Sequence, residues 1–228
     1  MSLDQILYRI LIQGGSYLTI LKGLRATVDI SVYSLLFGTL LGALVCALRM
    51  SKISLLRFFA TIYIVILRGS PVLMLLMLMY YGVFARSPLE ANTIAIITFS
   101  LNTAAHVAEL LRASISATDF GQVEAARTLG FSAWQAFRLV TLPQVVRIAK
   151  PVYQSTTVNL IQWTSVVGYV SITDLTRVIN NIASRTMQPM ITIIIGMLIY
   201  LALAYIVHGI FALSDWFAHK AERKEAAA

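Results

Sequence analysis

A chain of 228 residues that is 58% hydrophobic and 12% charged, with a mean hydropathy of +0.79, is far more apolar than a soluble domain, where charged residues reach about 25%. The net charge of +8 does not point to nucleic acid, because the basic residues are scattered between apolar runs and read better as topology signals. The single cysteine, Cys46, excludes an internal disulfide and a cysteine-built metal site; in its apolar stretch it reads as a packed side chain.

At the N-terminus Leu3, Ile6, Leu7, Ile10 and Leu11 recur at helical spacing and predict an amphipathic helix lying on the membrane, within about residues 1–20. Asp4 stands where a cleavable leader would be basic, and no small-residue cleavage site follows a short apolar core, so no leader is expected. A crossing helix needs about 20 mostly apolar residues. Windows free of Asp, Glu, Lys and Arg run Ile30–Leu48, Gly69–Ala85, Ala91–Ala108, Pro151–Thr173 and Thr186–Ser214. They predict an all-α integral membrane protein with five transmembrane helices in one domain. In the first span, Gly38-x-x-x-Gly42 would let helix backbones approach closely, with packing inside the chain as its expected role. Phe58–Leu67 is apolar but too short to cross and reads as an interfacial or packing helix. At the head of the second span Arg68 is a cation at the inner interface, Ser70 is expected to cap, and Pro71 to start a helix over Val72–Phe84.

With the N-terminus outside, the inner segments hold Arg49, Lys52, Arg57, Arg68, Arg112, Arg127, Arg138, Arg147, Lys150, Lys220, Arg223 and Lys224. The outer ones hold Arg9, Lys22, Arg25, Arg86, Arg177 and Arg185. The bias toward the first set predicts an outside N-terminus and a cytoplasmic C-terminus, with residues 219–228 as a cytoplasmic tail.

Polar residues inside spans are costly and often mark a pathway. In the third span Thr98, Asn102, His106 and Glu109 share one helix face. Glu109 can pair with Arg112 three residues on, and is read as structural or gating. In the fourth span Ser155, Asn159 and Gln162 share a face, with Thr156 and Trp163 beside it. Two readings stand for these residues: they line a path for a polar solute, or they bond to each other across a helix interface. A packed neutral imidazole is the first reading for His106, a proton or substrate role the second. After the fourth span, Asp174, Arg177 and Arg185 form either a solvated loop or a surface for an outside partner.

The long inner segment between the third and fourth spans carries two successive helix starts. Asp119-x-x-Gln122 and Ser132-x-x-Gln135 both have capping-box form. The first helix, Gln122–Leu129, places Glu124 in its first turn and stops at Gly130; the second runs through Leu139, and Pro143 suits the first turn of a third. A helix, a bend fixed at Gly130 and another helix make a rigid knob.

Glu124-Ala125-Ala126, three residues, Gly130, nine residues, then Val140-x-Leu142-Pro143 is similar to the EAA loop of bacterial binding-protein-dependent ABC import permeases, with Val140 where isoleucine is usual. From about Leu21 to Trp216 the chain resembles the polar amino-acid branch of that family. The resemblance is carried by Arg68-Gly69-Ser70-Pro71, Ala108-Glu109, Arg112, Gly121-Gln122, Leu142-Pro143-Gln144 and Thr164-Ser165. It implies the type I importer fold, with residues 119–143 as a cytoplasmic coupling loop whose coupling helix sits in a groove of a separate ATPase. Gln122, Glu124, Ala125, Ala126, Leu129, Gly130, Leu142 and Pro143 would serve that coupling, and Arg68, Gly69, Pro71 and Glu109 the structure or gate. The implied partners are two ATPase subunits, a second permease subunit (identical or paralogous), an extracytoplasmic solute-binding protein and membrane lipid, in the bacterial cytoplasmic membrane. ATP and Mg would be bound by the ATPase, with no cofactor in this chain.

The chain departs from the branch at His106, where an aromatic such as tyrosine is usual, and at Gln162 and Trp163, where many amino-acid permeases carry a lysine and an acidic residue. No carboxylate lies between Pro151 and Thr173, which predicts a solute without strong net positive charge. A phosphate-binding G-x-x-x-x-G-K-[ST] loop, a nucleophile elbow and an H-E-x-x-H pair are all missing from the sequence, so no enzyme is expected. An ion-gradient-driven secondary transporter would show inverted repeats and intramembrane charges, and neither is evident. A non-transporting scaffold would explain the packing but not the loop spacing. An importer of a non-amino-acid solute stays open.

Overall fold

The computed structural model describes residues 8, 10–12 and 15–225, and every regular element among them is helical. The helices are α1 (Ser16–Arg49), α2 (Ser54–Gly69), α3 (Val72–Met77) running into a π-helical turn (Leu78–Val83), and α4 (Ala91–Ser116). Then come α5 (Phe120–Thr128), α6 (Ala133–Ala136), a second π-helical stretch (Phe137–Thr141) and α7 (Leu142–Trp163). A 3-10 segment (Thr164–Val170), α8 (Leu175–Thr186) and α9 (Pro189–Glu225) complete the chain. By length and composition α1, α4 and Pro189–Phe217 of α9 can each cross a membrane. The pair α2 and Val72–Val83 passes the same test only jointly, bent by 109° at the Gly69–Pro71 break. The expected fourth span falls in α7 and the 3-10 segment; the first half of α7 carries Arg147 and Lys150, so this helix is less apolar than the other three.

The chain divides into two compact units: Val32–Thr156, and the remainder up to Ser31 and from Thr157 on. In the second of these, Ile10, Ile20, Leu175, Val178, Ile179 and Ile182 form the core, with Leu24, Ile195 and Ile199 packed against it. Ile10 of the expected N-terminal helix is thus buried against α8; Leu3, Ile6 and Leu7 lie outside the described residues. A Cβ on Gly23 would stand 2.8 Å from the Asp174 carbonyl oxygen, so glycine is what lets α1 and the start of α8 touch. Thr27 Oγ1 accepts from the Leu175 amide at 3.2 Å, Arg185 donates to Ser16, and the Thr176 and Tyr200 hydroxyls share a hydrogen bond of 2.9 Å. Asp174, fully buried, caps α8 by accepting from the Thr176 and Arg177 amides. Arg177 in turn donates to the Gly168 carbonyl at 3.2 Å.

In the unit Val32–Thr156, α4 is the central helix. A Cβ on Gly38 would come within 2.7 Å of Thr103 Cβ, and one on Gly42 within 2.7 Å of Val107 Cβ. The small-residue pair therefore packs α1 against α4 inside the chain. On another side α2 lies against α4: Val45, Cys46, Ala60, Ile64 and Ala108 form one apolar cluster, and Tyr63 Oη donates to the Leu101 carbonyl at 2.7 Å.

Candidate functional site

The segment after α4 folds as a helical hairpin whose bend is set by local chemistry. Gly130 has φ +90, a conformation that side chains other than glycine rarely adopt. The Phe131 amide donates to the Ala126 carbonyl at 3.2 Å and the Gly130 amide to the Arg127 carbonyl at 3.1 Å. This 6→1 and 5→2 pair is the Schellman helix stop. It explains the spacing Ala126…Gly130: the residue whose carbonyl receives the 6→1 bond must lie four positions before the left-handed one. Ala126 is buried at the bend, where its methyl leaves the turn room to close, while Glu124 and Ala125 face outward. Arg127 Nη1 donates to the Phe131 carbonyl at 2.8 Å and stiffens the corner.

Ser132 and Gln135 form the complete capping box that the sequence predicts. The other expected box does not form. Asp119 accepts from the Gly121 amide at 2.9 Å, and Gln122 turns instead to Gln144, whose Nε2 donates to Gln122 Oε1 at 3.0 Å. Gln144 Oε1 also accepts from the Asp119 amide at 3.1 Å. Gln144 therefore clamps the base of the hairpin to α7. Gln144 already stands in the motif Leu142-Pro143-Gln144, but only the fold shows the clamp. The expected second helix through Leu139 does not end there: Ala133 to Trp163 is one uninterrupted helical run through the π-helical stretch, with Pro143 in the first turn of α7.

The outer surface of the hairpin presents large apolar side chains among its charged and polar ones. Leu129 is 79% exposed and Trp134 67%, Phe120 and Leu139 are similarly bare, and Trp134 stacks on Phe137 at 5.7 Å. Leu142 and Pro143 are exposed at its base.

The third-span face lies inside its unit. Thr98 is fully buried and bonds its own helix at Ile94; Asn102 is 1% exposed and donates from Nδ2 to the Leu67 carbonyl at 2.9 Å. Glu109 takes a bidentate bond from Arg112, with Nη2 to Oε1 at 2.6 Å. Arg68 lies within electrostatic reach of both His106 and Glu109, and Arg49 of Glu109. Three arginines and one carboxylate thus gather around the C-terminal half of α4. Ser70, expected to cap α3, does not; its hydroxyl turns back to the Ile66 carbonyl at 2.7 Å, while Pro71 takes the cap position and Gly69 ends α2.

On α7, Ser155, Asn159 and Gln162 occupy an exposed face, Trp163 is half-buried, and Thr156 is buried, its hydroxyl on the Val152 carbonyl at 2.9 Å. Among the described residues no cluster of His, Cys, Asp and Glu could hold a metal ion.

The family model described as "Binding-protein-dependent transport system inner membrane component" matches residues 35–224. The chain is 38% identical over 192 residues to the probable amino-acid ABC transporter permease protein YckA of Bacillus subtilis, covering 84% of this chain and 85% of that one. It is 30% identical over 215 residues to the L-cystine transport system permease protein TcyB of the same organism, covering 94% and 89%. The solved structure titled "Crystal structure of an amino acid ABC transporter with histidines" superposes with a TM-score of 0.78 at 30% identity, over 86% of this chain and 92% of that one. A MetNI methionine ABC transporter in an inward-facing conformation shares the fold, with a TM-score of 0.68 at 20% identity, over 85% of this chain and 93% of that one. In this family ATP is hydrolysed by a separate subunit. The all-helical architecture, the hairpin between α4 and α7 and the match across most of the chain agree: the protein belongs to the binding-protein-dependent transport system inner membrane components, and is a membrane permease subunit of an ABC importer.

Proposed function

We propose that this subunit forms half of the translocation path for a polar amino acid or similar small solute, and that the hairpin Phe120–Pro143 receives the movement of a partner ATPase. The observation that carries the reading is the hairpin itself: a bend locked by Gly130, with Leu129, Phe120 and Trp134 bare on its surface. Bare apolar side chains on a rigid corner suit docking into a groove of another protein. Gln122, Glu124, Ala125, Ala126, Leu129, Gly130, Leu142 and Pro143 serve the coupling, with Gln144 added as the clamp. Arg68, Gly69, Pro71 and Glu109 set the gate.

Two such permeases pair, two ATPase subunits holding ATP and Mg dock on the cytoplasmic side, and a solute-binding protein docks outside. The positive-inside bias supports an outside N-terminus and a cytoplasmic C-terminus, and five crossings with α7 as the fourth. ATP binding draws the ATPases together and opens the path outward; hydrolysis reverses it, so solute outside and nucleotide inside bias one equilibrium. Ser155, Asn159 and Gln162, exposed on α7, with Thr156 and Trp163 beside them, line the path, whereas Asn102, buried with its Nδ2 on the Leu67 carbonyl, takes the helix-interface reading. The absence of a carboxylate from Pro151 to Thr173 favours a solute without strong net positive charge.

The test is ATP-driven uptake of a panel of tritiated L-amino acids by proteoliposomes holding the permease, its ATPase and its binding protein. A neutral or acidic amino acid should accumulate, and Asn159→Leu should slow its uptake without abolishing ATP hydrolysis. Accumulation driven by an ion gradient without ATP, or uptake kinetics untouched by Asn159→Leu, would refute the respective parts.

A further inference from the structure

We propose that Asn102 stands in for the amide that Pro71 lacks, and so makes α4 the element that sets the position of the broken helix α2–α3. The proposal rests on the importer reading and adds to it a positioning residue for the gate. In an unbroken helix the carbonyl of residue 67 would accept from the amide of residue 71. Residue 71 is proline and has none to give. Ser70 is also extended, at φ −91 and ψ 138, as residues before proline tend to be, and the chain turns by 109°. The Leu67 carbonyl loses its next-turn donor within an apolar chain, where an unpaired backbone group is costly.

Two carbonyls behind the break are met in different ways. The Ile66 carbonyl accepts from the Ser70 hydroxyl at 2.7 Å, a bond within the broken segment itself. The Leu67 carbonyl accepts from Asn102 Nδ2 at 2.9 Å, across 35 positions of chain, from α4. The orientation of that amide is fixed by the acceptor, since a flipped amide would set Oδ1 against a carbonyl oxygen. Oδ1 is buried and finds no hydrogen bond among the described residues, a cost that leucine would avoid. The donor accounts for the amide.

Position gives the bond its consequence. Asn102 lies 14 residues before the end of α4 at Ser116, about 21 Å along the axis, and α5 begins at Phe120. Movement of the hairpin therefore travels along α4 and is handed to the break at Asn102. The Tyr63 hydroxyl bonds the Leu101 carbonyl between the same two helices but does not touch the broken end. It supplies the control.

The experiment uses the permease reconstituted with its ATPase and binding protein, with Cys46→Ala and spin labels at Val65 and Leu78, exposed positions on either side of the break. Asn102→Leu should broaden the distance distribution between the labels and lower solute moved per ATP about tenfold, with basal ATP hydrolysis retained. Tyr63→Phe should leave both within about twofold, because it removes a bond between the helices and not the broken carbonyl's donor. An unchanged distribution in Asn102→Leu, or an equal response from Tyr63→Phe, overturns the proposal. Where Asn102→Leu does not assemble, the double variant Pro71→Ala/Asn102→Leu decides. Residue 71 then regains an amide, so assembly must return, and its failure to return overturns the proposal. Wild-type complex that accumulates no solute with ATP defeats the importer reading instead, and the label distances still report on Asn102.

Discussion

Replacing Gly130 with alanine isolates the contribution of the bend. An added Cβ would meet nothing within 4 Å, so crowding adds nothing to the penalty. What remains is backbone strain: φ is +90, and forcing an L-residue into the left-handed region costs about 1–2 kcal/mol. If the bend relaxes, the Phe131 and Gly130 amides lose their acceptors at Ala126 and Arg127. One to two kcal/mol corresponds to a factor of about 5–30 in the population of an opened bend. Hydrogen exchange of the Phe131 amide in the purified complex reads that population directly, and should accelerate by that factor in Gly130→Ala. Gly130→Asn should fall between wild type and alanine, because asparagine enters left-handed conformations more readily. Solute moved per ATP should fall in the same order. Wild-type exchange at Phe131 in Gly130→Ala would refute the account of the bend; altered exchange with wild-type coupling would refute the link from bend to transport.

Two further predictions concern packing and charge. Gly42→Ala sets a methyl 2.7 Å from Val107 Cβ and 2.9 Å from the Ala104 carbonyl oxygen, and should destabilise the protein by about 1–3 kcal/mol. Gly209→Ala, with nothing within 4 Å, should stabilise α9 by up to about 1 kcal/mol. Melting temperatures followed by tryptophan fluorescence should move in opposite directions, and equal shifts would refute the packing assignment. Burial pushes the Asp174 carboxyl above the ordinary carboxylate range, against the pull of the Arg177 and Thr176 amides. The folded state then holds the proton to higher pH than the unfolded chain does. Stability from this group is therefore greatest below the ordinary carboxylate value and declines as pH rises through the raised one. Asp174→Asn should flatten that slope in thermal unfolding across the acidic range; an identical slope would refute it.

What the sequence made legible is local. Gly130 as a helix stop and Ser132 with Gln135 as a capping box involve partners within five residues, so motif chemistry alone locates them. The apolar windows in α1, α4 and α9 follow from composition. The failures share a physical cause in competition from distant or alternative partners. Gln122 fits a capping box until Gln144, 22 positions on, offers a better bond. Ser70 prefers the Ile66 carbonyl stranded by the break to the amides ahead of it. Asn102 shows on the sequence as a polar residue on an apolar face; that its donor is spent on Leu67 depends on how α2 crosses α4. The bridging of α6 to α7 escapes prediction because Pro143 falls in the first turn after the π-helical stretch, where a proline neither starts nor stops anything by itself.

The hairpin's two attachments are unequal. On one side it joins α4 through the non-helical Ala117, Thr118 and Asp119; on the other, α6 runs into α7 without interruption. The first junction works as a pivot and the second as a weld. A tilt of the hairpin passes to α4 as a shift through the pivot, and through the weld it turns the rod from Ala133 to Thr156, about 35 Å long, so that 5° of tilt sweeps the far end by about 3 Å. A displacement of that size exceeds the slack of a packed helix interface.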